Sequence, residues 1–167
     1  MNSGGLKPQA TGLRDTAGVV SLIHFTASFT VLAARAELNI WAENAAHVEN
    51  GLQLVDELNH EWGPDGRLAS LIHAAHGTPV EVSWDTLLLL VITDAAGLTV
   101  DLQNHSVTRV GPVELPSAEI RRGLIAELLL QELRDAGCPA GTIAIGDYTS
   151  AIDGVRPDEL CHRPTRT

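Results

Sequence analysis

The sequence predicts an α+β fold, a ferredoxin-like βαββαβ sandwich with one extra short helix, on three observations. The hydrophobic rhythm switches from every second residue to every third or fourth near Val31. Two apolar runs flank Asp94-Ala95-Ala96-Gly97 as the arms of a hairpin would, and a leucine-rich helix with start and stop signals follows Pro116. Strand, helix, hairpin, helix, strand is the order that such a plait requires. A chaperone-like or profilin-like α+β fold, which shares the hairpin-then-helix element, is the alternative.

The first element is a strand over residues 19–31. Ile23, Phe25, Ala27, Phe29 and Val31 alternate with His24, Thr26, Ser28 and Thr30, the period of a pleated strand with one apolar and one hydroxyl-rich face. From Val31 the residues Ala34, Leu38, Trp41, Ala45, Val48, Leu52, Val55, Asn59 and Trp62 recur at steps of three and four, and predict a long helix over 32–62 with Asn50-Gly51 as its weak point. A competing pattern lies over its first turns: Leu32, Ala34, Ala36, Leu38 and Ile40 also alternate with Arg35, Glu37 and Asn39, as a second strand ending near Trp41 would.

Gly63-Pro64-Asp65-Gly66 reads as a turn, with Asp65 placed to cap a short helix over 66–76 that Gly77 and Pro79 close. Residues 87–93 (LLLLVIT) then predict a central strand, paired through the 94–97 turn with residues 98–102, and short strands are expected over 80–84 and 106–110. Beyond Pro116, Ser117 caps, Glu119 complements the positive helix start, and Ile120, Leu124 and Leu128 carry an apolar face up to Arg134 and Gly137. Residues 142–145 form the last strand. Residues 1–15 read as a flexible lead, 16–154 as a single domain, and 155–167 as a loosely ordered tail.

Composition narrows the function classes. The 167 residues are 44% hydrophobic, enough apolar surface to fold without metal or disulfide staples. Twenty-one acidic against eleven basic residues give a net charge of -10, which disfavours nucleic acid and anionic membranes and would draw in a basic partner. Residues 16–34 carry no formal charge, but His24 and several hydroxyls dilute their apolarity, so a membrane span is disfavoured. Cys138 and Cys161 build no disulfide framework, and no secretory leader precedes them; a cytoplasmic setting follows.

The sequence offers two candidate constellations. His73 and His76, three apart on the predicted short helix, share a face, and Glu57 and His60 repeat that spacing on the preceding one. Folded against each other, these helices would bring His60, His73, His76 and Glu57, or Asp65, to one zinc, iron or manganese ion. The same histidines also suit a helix end, where imidazoles meet free carbonyls, and there is no HExxH motif. The second constellation holds acid/base candidates: His47 with Glu43 on the long helix, and His24 on the hydroxyl-rich strand face, where it could line a ligand cavity. Trp41, Trp62 and Trp84 read as core anchors.

No phosphate-cradling glycine motif occurs, and no resident organic cofactor is expected. Without a strong catalytic signature, the sequence reads as a non-enzymatic, acidic interaction or regulatory module of the immunity-protein, inhibitor or chaperone type, a homodimer holding a protein partner. The alternative is a small metal-dependent or acid/base enzyme, or a ligand-binding protein, with a histidine-lined pocket.

Overall fold

A computed structural model describes residues 7–9 and 22–152. The expected lead, apart from Lys7–Gln9, and the tail with Cys161 lie outside the described residues. Strands β1 (Lys7–Gln9), β2 (Ile23–Val31) and β3 (Ala34–Ala42) come first, then helices α1 (Ala45–Glu61) and α2 (Arg67–Ser70) with a 3-10 turn over Leu71–His73. Strand β4 (Pro79–Glu81), helix α3 (Trp84–Thr93), strands β5 (Leu98–Asp101) and β6 (Ser106–Arg109), helix α4 (Ala118–Asp135), and strands β7 (Ala140–Ile145) and β8 (Tyr148–Ala151) complete the order. The α+β class holds, with every strand pair antiparallel. The strands divide into two sheets rather than one, ordered β1-β2-β3-β7-β8 and β4-β6-β5.

Contacts group the chain into two compact units, Met1–Asp56 with Ile125–Thr167, and Glu57–Leu124. In the first, the larger sheet turns Phe25, Ala27 and Phe29 of β2, Ala36, Leu38 and Ile40 of β3, and Ile143 and Ile145 of β7 into a buried face. Val48 and Val55 of α1 and Ile125, Leu129 and Leu133 of α4 are buried in the same unit. Gly51 is a contact point between those helices: a Cβ there would stand 2.8 Å from Leu129 Cδ1. Asn50-Gly51, expected as a break, therefore sits inside a continuous helix, because the missing side chain lets α4 come close.

The expected helix over 32–62 begins only at Ala45, and its first third is β3, the competing strand. Val31 and Ala34 are paired, so Leu32-Ala33 alone make the turn, with φ of 47° and 68°. Positive φ at both positions marks the type I′ hairpin turn, which Asn-Gly or Asp-Gly normally supplies. Leu and Ala adopt it at a cost that the nine-residue pairing of β2 with β3 overcomes. The sequence carries no turn signal here for that reason.

The second unit corrects the other main assignment. LLLLVIT is helix α3, not a central strand. Ser83 caps it, accepting a hydrogen bond from the Thr86 N–H at 3.2 Å, Asp85 complements the helix start, and four consecutive leucines are strong helix formers. Thr86, Leu87, Leu89 and Leu90 are buried while Trp84, Val91 and Ile92 are exposed, so Trp84 is no core anchor. No helix among the described residues is long and apolar enough to cross a membrane. Within the uncharged stretch 16–34, Ile23–Val31 is strand.

Candidate functional site on the second face of the larger sheet

Alternation along β2, β3, β7 and β8 buries one side chain and turns the next to the other face, so register alone assembles that face in rows. Across it run His24, Trp41 and Ala140; then Thr26, Asn39, Thr142 and Ala151; then Ser28, Glu37, Ala144 and Thr149. Alanines beside longer polar side chains leave room, and a concavity of about 520 Å³ opens there, lined by Glu37, Asn39, Thr142, Ala144, Thr149 and Ala151 among others. The charges that β2, β3, β7 and β8 bring to this face are Arg35 and Glu37, an exposed ion pair at 3.1 Å worth little in water.

The first row is different in kind. The His24 and Trp41 rings stack with centroids 4.0 Å apart and planes 11° from parallel. Trp41 is 2% exposed, and both its Nε1 and the Nε2 of His24 are buried without a hydrogen-bond partner. A buried donor left unmade costs about 1–3 kcal/mol, and most buried polar groups in folded proteins are paired. This row is thus less stable than it need be, and it adjoins the concavity through Asn39, two residues from Trp41 on β3.

The remaining sequence candidates are dispersed. Glu43 precedes α1, so the helical spacing that linked it to His47 does not apply; the His47 N–H is bonded to Asn44 Oδ1 at 3.3 Å, capping the helix. Glu43 instead lies near Cys138, whose thiol is pushed up to about 11 by burial and then by that carboxylate, which leaves it protonated and unreactive at neutral pH. Glu57 and His60 share α1 as expected. The short helix ends at Ser70 and its 3-10 extension at His73, with Ala74 already extended, so His73 and His76 share no helical face. His76 Nε2 is bonded to the Val110 carbonyl at 3.0 Å, and Asp65 leaves the cap position to Gly66. Among the described residues no three His, Cys, Asp or Glu side chains are grouped to hold a metal ion.

Two polar clusters escaped the sequence reading. In the second unit Glu61 accepts from the Thr86 hydroxyl at 2.8 Å and the Ser83 hydroxyl at 2.9 Å, and the Trp62 indole N–H donates to Thr86 Oγ1 at 2.9 Å. In the first, Glu127 accepts from the hydroxyls of Tyr148 at 2.5 Å and Ser150 at 2.6 Å, tying edge strand β8 to α4. Those bonds, from Ser150 and then Tyr148, hold the Glu127 carboxyl below the usual glutamate range, and the same carboxylate raises the Tyr148 phenol. Each hydroxyl of this second cluster lies more than twenty residues from Glu127, so no local pattern announces it.

No family model and no curated protein matches this sequence. Among solved structures, the ApbE protein of Thermotoga maritima matches at a TM-score of 0.61 and 10% identity, over 77% of this chain and 59% of that one. The apo form of the flavinyl transferase ApbE of Pseudomonas stutzeri matches at a TM-score of 0.60 and 11% identity, over 81% of this chain and 58% of that one. The chain spans a little under three fifths of the length of these structures. The likeness corrects the expectation of a non-enzymatic regulatory module that binds a protein, because the fold is shared with an enzyme; the enzyme or ligand-binding alternative is the reading it supports. At this identity it is a likeness of fold: the chain is folded like an ApbE-type flavinyl transferase.

Proposed function

We propose that this chain is a small enzyme or ligand-binding domain that takes a flavin on the polar face of its larger sheet. The observation that carries the reading is the concavity of about 520 Å³, lined by hydroxyl and amide side chains, on a fold shared with a flavinyl transferase. Its volume is that of a small-molecule site. Asn39 offers both donor and acceptor atoms, Thr142 and Thr149 offer hydroxyls, and the small Ala144 and Ala151 let a flat ring lie close to the sheet. A bound flavin would supply a redox-active or transferable group. The chain's own part is to bind and orient it.

A cytoplasmic setting belongs to the proposal. It is supported by the shortage of cysteines, of which Cys138 is a buried free thiol.

Titration of the purified chain with FAD and FMN, followed by flavin fluorescence and calorimetry, tests the reading. Saturable binding is expected, weakened about tenfold or more by Asn39→Ala at an unchanged melting temperature. Failure of both flavins to bind at ~1 mM would remove the proposal.

A further inference from the structure

The side chains that line the concavity are not equivalent hydrogen-bonding partners. Thr142 and Thr149 carry hydroxyls and Asn39 a carboxamide, so each of them both donates and accepts. The Ser150 hydroxyl is already donated to Glu127 at 2.6 Å. Among the described residues that line the concavity Glu37 alone is charged, and an ionised carboxylate only accepts. Its Oε1 meets Arg35 Nη2 at 3.1 Å, and Arg35 lies outside the lining. A carboxylate has about four acceptor sites, so one guanidinium contact leaves most of them for water or for a ligand that brings a donor.

Sheet register fixes what stands beside this acceptor. Glu37 pairs directly with Ala144, whose methyl group leaves space above the sheet, and Asn39, two residues along β3 on the same face, pairs with Thr142. Same-face neighbours on a strand are roughly 7 Å apart at the backbone, within reach of one ring edge for side chains of this length. A ring lying over Ala144 therefore turns toward β3 an edge that meets an obligatory acceptor in Glu37 and a donor in the Asn39 amide. The edge that matches is a cyclic imide, an N–H between two carbonyls. In an oxidised flavin ring this is the pyrimidine-dione end, and its N3–H is the one donor the ring owns. The opposite, dimethylbenzene end has no donor and would set methyl groups against the carboxylate.

We propose that Glu37 reads the imide N–H of the flavin ring, and so sets both the direction in which the ring lies, pyrimidine end toward β3, and the ligand class the site takes, planar rings with a cyclic imide. The inference rests on the flavin-site reading and adds the residue and the ring atom that decide specificity. The bond is charge-assisted, which favours it over the neutral contacts from Asn39, Thr142 and Thr149. The Glu37 side chain is 54% exposed, so water competes for it and the expected effect is about tenfold rather than several hundredfold.

N3-methylation of FMN and FAD removes the donor and keeps the ring. The wild type is expected to bind the N3-methyl flavins about tenfold more weakly than the parent flavins in fluorescence titration. Glu37→Ala alters an exposed side chain and should melt like the wild type, bind the parent flavins about tenfold more weakly, and hold methylated and parent forms within about threefold of each other. A wild type that binds the two forms alike would overturn the inference and leave the flavin reading in place. A preference that survives undiminished in Glu37→Ala would do the same, by assigning the N–H to another group. Failure of the wild type to bind either FMN or FAD removes both.

Discussion

Each unit of the chain buries a tryptophan almost completely, and the two are treated in opposite ways. Trp62, in the second unit, is fully buried and its indole N–H is bonded to Thr86 Oγ1 at 2.9 Å, inside a network that also occupies the Glu61 carboxylate and caps α3. Trp41, in the first, is 2% exposed and its N–H has no partner. Burial is the same; polar satisfaction is not. A fold under selection for stability alone resembles the first case, because a buried donor left without a partner costs about 1–3 kcal/mol. The contrast therefore separates a tryptophan that holds structure from one that the fold keeps at its own expense, and it singles out the row beside the concavity.

The largest effect should come from removing the structural member. Trp62→Ala leaves a large cavity and strands Thr86 and Glu61, and should lower stability by about 3–5 kcal/mol in urea unfolding. A loss below about 1 kcal/mol would mean that the Glu61–Thr86–Ser83 network holds the unit without it. Next is Gly51→Val, whose added side chain meets Leu129 Cδ1 at 2.8 Å and should cost about 1–3 kcal/mol. It sharpens the comparison by showing that the first unit is tightly packed elsewhere, so that leniency at Trp41 is local.

The direct contrast comes third. Trp62→Phe and Trp41→Phe both shrink a buried indole to a phenyl ring and should both lose stability, but Trp62→Phe also breaks the bond to Thr86 and should lose about 1 kcal/mol more. Equal losses in paired unfolding curves would erase the distinction between the two residues.

The smallest effect lies at the surface of the first unit. Its Glu127–Tyr148–Ser150 cluster is satisfied but exposed, so Glu127→Gln should matter little and in a pH-dependent way. Because the hydrogen bonds from Ser150 and Tyr148 depress the folded carboxyl below its ordinary value of 4.5, the wild type's advantage is complete above that value and disappears as pH falls through the folded one. Melting curves of both proteins at neutral pH and at about pH 3 should converge on the acid side. Divergence there would show that the carboxylate is not what ties β8 to α4.

Several elements were legible because their signals are local. β2 shows a strict period of two, α4 has Ser117 and Glu119 at its start and Gly137 beyond its end, and β5 and β6 fall within a residue of their expected bounds. The hydroxyl-rich face with His24 was visible for the same reason, since alternation fixes which residues share a face. The β2–β3 turn was not, because Leu32-Ala33 lacks the residues that favour positive φ and only the pairing of the two strands imposes it. LLLLVIT was misread because a short apolar run suits a buried strand and a half-buried helix alike. The histidine cluster depended on a helical phase through residue 76 that the chain abandons at Ala74.

By itself, then, the sequence determined the class of the fold, most of its strands and helices, and the chemical character of each strand face, all of which depend on residues a few positions apart. Only the tertiary structure decided which strands are neighbours, and with that which side chains meet. The stacking of His24 on Trp41, the concavity between Asn39 and Thr142, and the closure of Tyr148 and Ser150 onto Glu127 each join residues that sit from seventeen to more than a hundred positions apart. Contacts at such separations are set by sheet register and buried packing, and no periodicity along the chain encodes them.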